Sequence, residues 1–132
     1  MLELPLLFVS FSKADQVKIF KVTPLKTKTA DGKFSMWIRQ RDGMCRRCKR
    51  TGIGLDNSHY WRRDMKRTRF DPKNCIALCR DCHTAWERHQ NNEYKAFMVE
   101  WLGRDEYDAL EERARTSMQM RDAVLELMTW LK

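Results

Sequence analysis

Two Cys-x2-Cys pairs, Cys45-Arg-Arg-Cys48 and Cys79-Arg-Asp-Cys82, restrict what this chain can fold into more than any other feature of it. Each pair can offer two thiolates to one tetrahedral ion, with Zn–S near ~2.3 Å. A lone pair can be a redox dithiol or chance; two pairs favour structural zinc, provided the thiols stay reduced. The early apolar stretch, residues 2–11, contains Glu3 and Pro5, lacks a basic start and is too short to span a bilayer. It therefore reads as no export signal, and the expected compartment is the reducing cytoplasm, where metal ligation is commoner than disulfides. Arg46, Arg47, Lys49 and Arg50 beside the first pair would offset thiolate charge and favour deprotonation.

The spacing between the pairs is the second constraint. Thirty residues separate Cys48 from Cys79, against roughly 15 to 20 in a simple zinc ribbon, so something is inserted between them. From residue 45 to residue 82 the chain is rich in turn formers and charges and poor in apolar runs, as expected where a metal replaces much of a core. The fifth cysteine, Cys75, reads as a small buried apolar residue. With 132 residues, 42% of them hydrophobic, the chain has room for one compact domain plus extensions, and a domain of that size gains from a metal that adds folding free energy.

Outside the insert, residues 1–12 read as a flexible or strand-like arm, residues 16–22 as a half-buried strand, and residues 23–32 as a linker or turn. Phe34, Trp37 and Ile38 fit an amphipathic helix ending near Gly43. After His83 the pattern is helical, with Trp86, Tyr94, Phe97, Met98, Trp101 and Leu102 in register and a break at Gly103. A second helix then carries Tyr107, Leu110, Ala114, Met118, Val124, Leu125 and Met128. These Met and Trp residues are packing surface rather than a cofactor site, and no phosphate-binding glycine loop is present.

Charge is concentrated rather than spread. Residues 39–73 hold 12 Lys/Arg against 4 Asp/Glu, a local +8 that equals the formal net charge of the chain, whereas residues 87–132 hold 7 basic against 10 acidic residues. A concentrated basic segment suits a polyphosphate partner, because each neutralised phosphate releases condensed counterions. A solvated face is the plainer explanation of any charge run; here the run surrounds a set of chemically capable residues.

That set lies in the insert: Asp56-Asn57-Ser58-His59-Tyr60, then the basic stretch of residues 61–69, then Phe70-Asp71-Pro72-Lys73-Asn74-Cys75 leading to the second cysteine pair and His83. His59, Asn74 and His83, at offsets of 15 and 24, resemble the three marker positions of the HNH endonucleases, and the flanking cysteine pairs resemble the zinc-bearing branch of that superfamily. The closer likeness is to phage recombination nucleases of the NinG (Rap) type, whose pattern is similar to Asp56, His59, Tyr60, Arg62, Arg63, Thr68, Arg69, Phe70, Asp71, Asn74, Cys79, Cys82 and His83 in register. Residues 37–42 resemble the helix before the first cysteine pair in that family. The likeness spans roughly residues 33–90, and its joint spacing is far more specific than any one piece.

The resemblance implies an α+β fold: a small zinc-stapled ββα-metal core over residues 33–90, with an N-terminal arm and linker over 1–32 and a helical C-terminal extension over 91–132. It implies hydrolysis of DNA phosphodiesters, with branched or recombination intermediates as substrate. The residues suit that chemistry. Hydrolysis at neutral pH needs an activated water, neutralisation of transition-state charge and help for the leaving alkoxide. His59 is matched to general-base work, since an imidazole titrates near ~6.5. A divalent ion, Mg²⁺ or Mn²⁺, supplies the rest. His83, directly after the last cysteine, is positioned to bind that ion; joining the zinc sphere or capping the helix are its alternatives. Asn74 is expected to bridge loop backbone and hold the His59 strand rigid.

Many HNH enzymes carry Asp or His directly before the general base, where this chain has Ser58, a poor ligand. Asp56 shares a strand face with Ser58 and could reach the ion, and the resemblance favours it as the carboxylate ligand because that family keeps it; Glu87, one helical turn after His83, is the competitor. Arg62, Arg63, Lys66, Arg67 and Arg69 are expected to clamp phosphates, with Arg63 and Arg69 also able to stabilise the scissile one. Tyr60 and Trp61 can stack on exposed bases, though core packing is the commoner job for aromatics in so small a domain. His89 has no assigned role. The implied cofactors are one structural Zn²⁺ on Cys45, Cys48, Cys79 and Cys82 and a catalytic Mg²⁺ or Mn²⁺. The implied partner is DNA, with no membrane and with the C-terminal helices as candidate homodimer surface; the implied location is the cytoplasm, a bacterial host's if the chain is phage-encoded. A zinc-dependent DNA-binding module without catalysis and a sequence-specific nicking enzyme are the rival readings, the first favoured by Ser58.

Overall fold

The computed structural model describes residues 22–131. The expected N-terminal arm and, Val22 apart, the expected strand over residues 16–22 lie outside the described residues. The first element is helix α1, Thr27–Asp42. Ala30, Phe34 and Ile38 recur every four residues and are all buried, which lays one stripe of the helix into the core. That packing carries the helix back through residues 27–32, expected as linker; the tertiary anchor at Ala30 outweighs the poor helical propensity of Thr27, Thr29 and Gly32. At the other end Gly43 takes a left-handed φ of 66° and donates its N–H to the carbonyl of Arg39, a C-cap that glycine adopts without steric cost.

The insert between the cysteine pairs folds into a two-stranded antiparallel sheet. Strand β1, Asp56–His59, pairs with β2, Cys75–Leu78, in the register Asp56 to Leu78 and His59 to Cys75. Between them lie one short helical turn, α2 (Lys66–Arg69), and a 3-10 turn over Pro72–Asn74 capped by Asp71, whose carboxylate accepts from the N–H of Lys73 at 2.9 Å. Strand β2 is buried along its whole length, and its far edge is closed by side chains of α1 instead of a third strand. Arg41 donates to the carbonyls of Pro72 (2.8 Å) and Cys75 (2.7 Å), and the carboxylate of Asp42 accepts from Ala77 N–H at 2.8 Å. The N–H of Arg46 then donates to Ala77 O at 2.9 Å, so the ladder groups of an edge strand are satisfied without exposure.

Helix α3, Arg80–Thr84, follows β2 directly and runs into a π-helical turn, Ala85–His89. The order strand, strand, helix is the small α+β core expected. The remaining helices are α4 (Asn91–Leu102), α5 (Arg104–Ala114) and α6 (Met120–Trp130). Two expectations change here. The helical stretch after His83 is interrupted at Gln90, whose φ and ψ of −132° and 51° are non-helical, and the expected last helix is two. Tyr107 and Leu110 of α5 belong to a cluster around Ile76, Leu78, Trp86, Tyr94 and Met98, whereas Ala123, Val124 and Leu127 of α6 belong to a second around Ala30, Phe34, Ile38, Phe70 and Cys75. One straight helix cannot serve both clusters, and the chain turns at Thr116 and Ser117, residues that compete with helix by bonding backbone. Thr116 does so, its hydroxyl donating to Glu112 O at 2.8 Å.

The C-terminal helices are tied to the hairpin by polar bonds as well. Ser58 Oγ lies 2.7 Å from the Tyr94 hydroxyl, and the Tyr60 and Tyr107 hydroxyls are 2.7 Å apart. Asp71, 2% exposed, receives Arg113 Nε at 3.0 Å and Nη2 at 2.9 Å. Tyr60 and Trp61 thus serve packing, both lying against the first cluster. No helix among the described residues is long and apolar enough to cross a membrane.

Candidate active site and zinc-binding cluster

The four paired cysteines converge. One sulfur from each of Cys45, Cys48, Cys79 and Cys82 lies within 4.8 Å of the others, with Cys48 and Cys79 Sγ 3.9 Å apart; tetrahedral Zn–S bonds near ~2.3 Å set sulfurs about 3.8 Å apart. Each pair forms a knuckle in which the backbone N–H of its second cysteine, Cys48 or Cys82, points at the sulfur of the first at 3.5 Å. Arg50 Nε reaches Cys48 Sγ at 3.3 Å and Arg47 Nη1 reaches Cys82 Sγ at 3.5 Å, so flanking arginines offset thiolate charge. The cluster can hold one structural zinc. Because Cys79 of the second knuckle caps α3, such an ion would fix where α3 starts relative to β2.

A polar pocket of about 310 Å³ opens beside it, lined by Asp56, Asn57 and His59 of β1, His83 and Arg80 of α3, Asp31, Ser35 and Arg39 of α1, and Arg63 and Leu55 from loops. His59 is mostly buried, and desolvation pushes its pKa down to about 4, with the charges of Arg63 and Arg69 adding to that and the Arg69 carbonyl opposing it. Its ring is therefore neutral at physiological pH. Nε2 lies 2.9 Å from the Arg69 carbonyl, which can only accept, so Nε2 carries the hydrogen and Nδ1 is left as a proton acceptor. Phe34 flanks the ring, with centroids 6.4 Å apart.

Asn74 is fully buried behind the loop that joins the strands. Its Oδ1 accepts from Trp61 N–H at 2.8 Å, and its Nδ2 donates to the carbonyls of Trp61 and Thr68, both at 3.0 Å. One amide thereby joins the two ends of the basic loop, and Tyr60 N–H bonds Asn74 O at 2.8 Å just past His59.

His83 stands between two carboxylates. Nδ1 is 3.0 Å from Asp56 Oδ2, and Nε2 is 2.8 Å from Glu87 Oε1. A neutral ring has one N–H to give, so one of the two carboxylates is left without a hydrogen from it, and a divalent ion can take that place. Asp56 lines the pocket with His59 and His83, and Glu87 does not. Asn57 supplies a second indication, since its Oδ1 is a buried acceptor with no partner. A carboxylate and an imidazole facing one space, with a spare carbonyl beside them, suit a hard or borderline divalent ion. Ser58, the position before His59, is fully buried and turned toward Tyr94, out of reach of such an ion.

The basic run divides. Arg62, Arg63 and Lys66 are exposed, and Arg62 makes only a surface pair with Asp64 at 3.4 Å. Arg67 turns inward, Nη2 to Ser117 O at 3.3 Å. Arg69 is engaged by Asp31 through Nε at 2.9 Å and Nη2 at 2.5 Å and donates Nη1 to Arg63 O at 3.2 Å. Asp31, Ser35, Arg39, Asn57 and Arg80 were not singled out in the sequence, yet all line the pocket. Asp31, Ser35 and Arg39 repeat every four residues, one position on from the buried Ala30, Phe34 and Ile38, a stripe that shows once the helix is known to start at Thr27. Cys75 is buried, and His89 is exposed.

No curated protein and no solved structure matches the chain. A family model described as HNH endonuclease matches residues 23–91, 69 of the 132, taking in α1, the hairpin, both cysteine pairs and α3. By that match over more than half its length, and with a strand-strand-helix core and four cysteines gathered for one metal, the chain belongs to the HNH endonuclease family.

Proposed function

We propose that the protein is a metal-dependent DNA endonuclease in which His59 is the general base and Asp56 and His83 hold the catalytic ion. The observation that carries this reading is a neutral, tautomer-fixed imidazole sharing one pocket with a carboxylate–imidazole pair. Nδ1 of His59 takes the proton of a water beside the phosphate, and the Arg69 carbonyl holds the ring while it does so. A Mg²⁺-class ion, when bound, supplies neutralisation of phosphorane charge and assistance to the leaving alkoxide. Asp56 and the Nδ1 face of His83 are the ligand groups; Glu87, on Nε2, orients the ring. Asn74 acts through the loop backbone as a positioning residue. Arg63, exposed at the pocket mouth, stabilises the scissile phosphate, and Arg62 and Lys66 add sequence-independent phosphate contacts. In this reading Arg69 positions His59 instead of clamping DNA.

Branched DNA as substrate rests on the motif resemblance alone; the family match reaches HNH endonucleases in general and not the recombination nucleases among them. Symmetric cutting of a junction would need two copies, which light scattering of the DNA-bound protein counts. A second reading, a DNA-binding module without catalysis, draws on Ser58, whose burial leaves no ligand directly before the base. Zinc-loaded protein incubated with supercoiled and branched DNA in Mg²⁺ or Mn²⁺ decides between them. Strand breaks are expected, lost in Asp56→Asn and retained at a higher metal requirement in Glu87→Gln. DNA binding without breaks in every divalent metal would overturn the nuclease reading.

A further inference from the structure

Two of the five cations expected on the nucleic acid face inward. Arg69 is spent on Asp31 and Arg67 on the Ser117 carbonyl. Two arginines from outside the basic run stand at the pocket instead, Arg39 from the last turn of α1 and Arg80 from the first residue of α3. They come from different walls: α1 and α3 each pack on β1, whose Asp56, Asn57 and His59 form the floor between them.

The charge balance of the pocket favours an anion there. Of its two acids, Asp31 is neutralised by the two-pronged grip of Arg69, and Asp56 is shared by His83 and, at 3.4 Å, Arg80. Arg39 has no ion pair among the described residues; its Nη1 donates to the Ser35 hydroxyl on the same helix face. Arg80 is 81% exposed in its side chain and tethered only by that one long contact, an exposed pair of little energy that a divalent ion at Asp56 would displace. Both guanidiniums are thus free to take two phosphate oxygens each.

We propose that Arg39 and Arg80 hold the phosphates on either side of the scissile one, so that the cut strand crosses the pocket from α1 to α3, leaving Arg62 and Lys66 to phosphates outside the pocket. This rests on the pocket being the nuclease site, but its test does not depend on cleavage. In a His59→Ala background, a short fluorescein-labelled DNA duplex is titrated in Ca²⁺ at several salt concentrations and binding is read by anisotropy. Arg39→Ala and Arg80→Ala should each weaken binding roughly tenfold and lower the slope of log K against log salt by about 1, as loss of one phosphate contact requires. Arg88→Ala, an exposed arginine away from the pocket, should change neither. Zinc content equal to the parent shows each variant folded. Parent-like affinity in both pocket variants, or weakened binding with an unchanged salt slope, overturns the proposal. The same slopes in a protein that never cuts DNA would sink the nuclease reading and leave Arg39 and Arg80 as phosphate contacts of a binding module, with no scissile bond between them.

Discussion

The two ends of strand β2 are held by opposite kinds of chemistry. At its C-terminal end Leu78 runs into Cys79 and the four-thiolate cluster, whose buried cysteines Cys45, Cys79 and Cys82 join the apolar cluster of Ile76, Leu78, Trp86 and Tyr94, so that metal ligation and packing meet there. At its N-terminal end Cys75 lies in an aromatic cluster where Phe34 meets Phe70 edge-on at 5.8 Å and Trp130 at 6.2 Å, and Trp37 meets Trp130 at 5.1 Å. His59 pairs with Cys75 at the apolar end, while Asp56 pairs with Leu78 at the metal end. The pocket therefore spans both supports, and its geometry requires both to be intact.

Removing zinc with a chelator should be the largest perturbation, because structural zinc in small domains contributes an apparent ~10–16 kcal/mol. Amide exchange of Ala77 and Arg46, whose bonds close the β2 edge, should accelerate far more than that of α6. Equal acceleration at both ends would erase the distinction between them. Phe34→Ala attacks the other end. It removes a side chain that is 1% exposed and should cost about 3–5 kcal/mol in denaturant unfolding, with zinc still bound; a loss of zinc affinity of similar size would show the two ends to be one unit.

A smaller effect at the apolar end depends on pH. Burial raises the carboxyl of Glu126 on α6 to about 7, with Arg67 pulling it down and Asp122 and Asp71 pushing it up. The folded chain then holds a proton that the unfolded chain, near 4.5, has released, so stability falls as pH rises from about 4.5 to 7. Glu126→Gln should flatten that slope in melting temperatures, and an unchanged slope would show Glu126 to be solvated. The smallest effect lies in the first knuckle, where Lys49 holds a φ of 67°, a conformation that costs a side-chain-bearing residue roughly 1 kcal/mol. Lys49→Gly should leave zinc binding intact and stabilise by up to about 1 kcal/mol, the looser unfolded chain offsetting part of the gain.

The metal end was more legible in the sequence than the apolar end, for a physical reason. Thiolate ligation needs particular residues at particular spacings, so Cys45, Cys48, Cys79 and Cys82 announce their meeting wherever the intervening chain goes. Apolar packing accepts many residues, and periodicity shows a buried face without naming its partner: Val124 reads as helical, but not as a member of the cluster around Phe34. The break between α5 and α6 was hidden for the same cause, since each half is helical and only the two clusters they serve separate them. The pocket was legible where chemistry is scarce, at His59, Asp56 and His83. It was illegible at Arg39 and Arg80, which line the pocket but are of a residue type common on any basic surface. Nothing in the spacing of residues 62–69 shows that Arg67 and Arg69 turn to the protein, because that depends on Asp31 and Ser117 arriving from 38 and 50 residues away.

The account turns on His59 being held, neutral and with its hydrogen on Nε2, in the same pocket as Asp56 and His83. The most direct measurement is single-turnover cleavage of plasmid DNA by the parent and His59→Ala, each carrying one zinc per chain by native mass spectrometry. Cleavage by the parent and a loss of at least about 100-fold in the variant is the result required of a general base. Equal rates in the two folded, zinc-loaded proteins would contradict it.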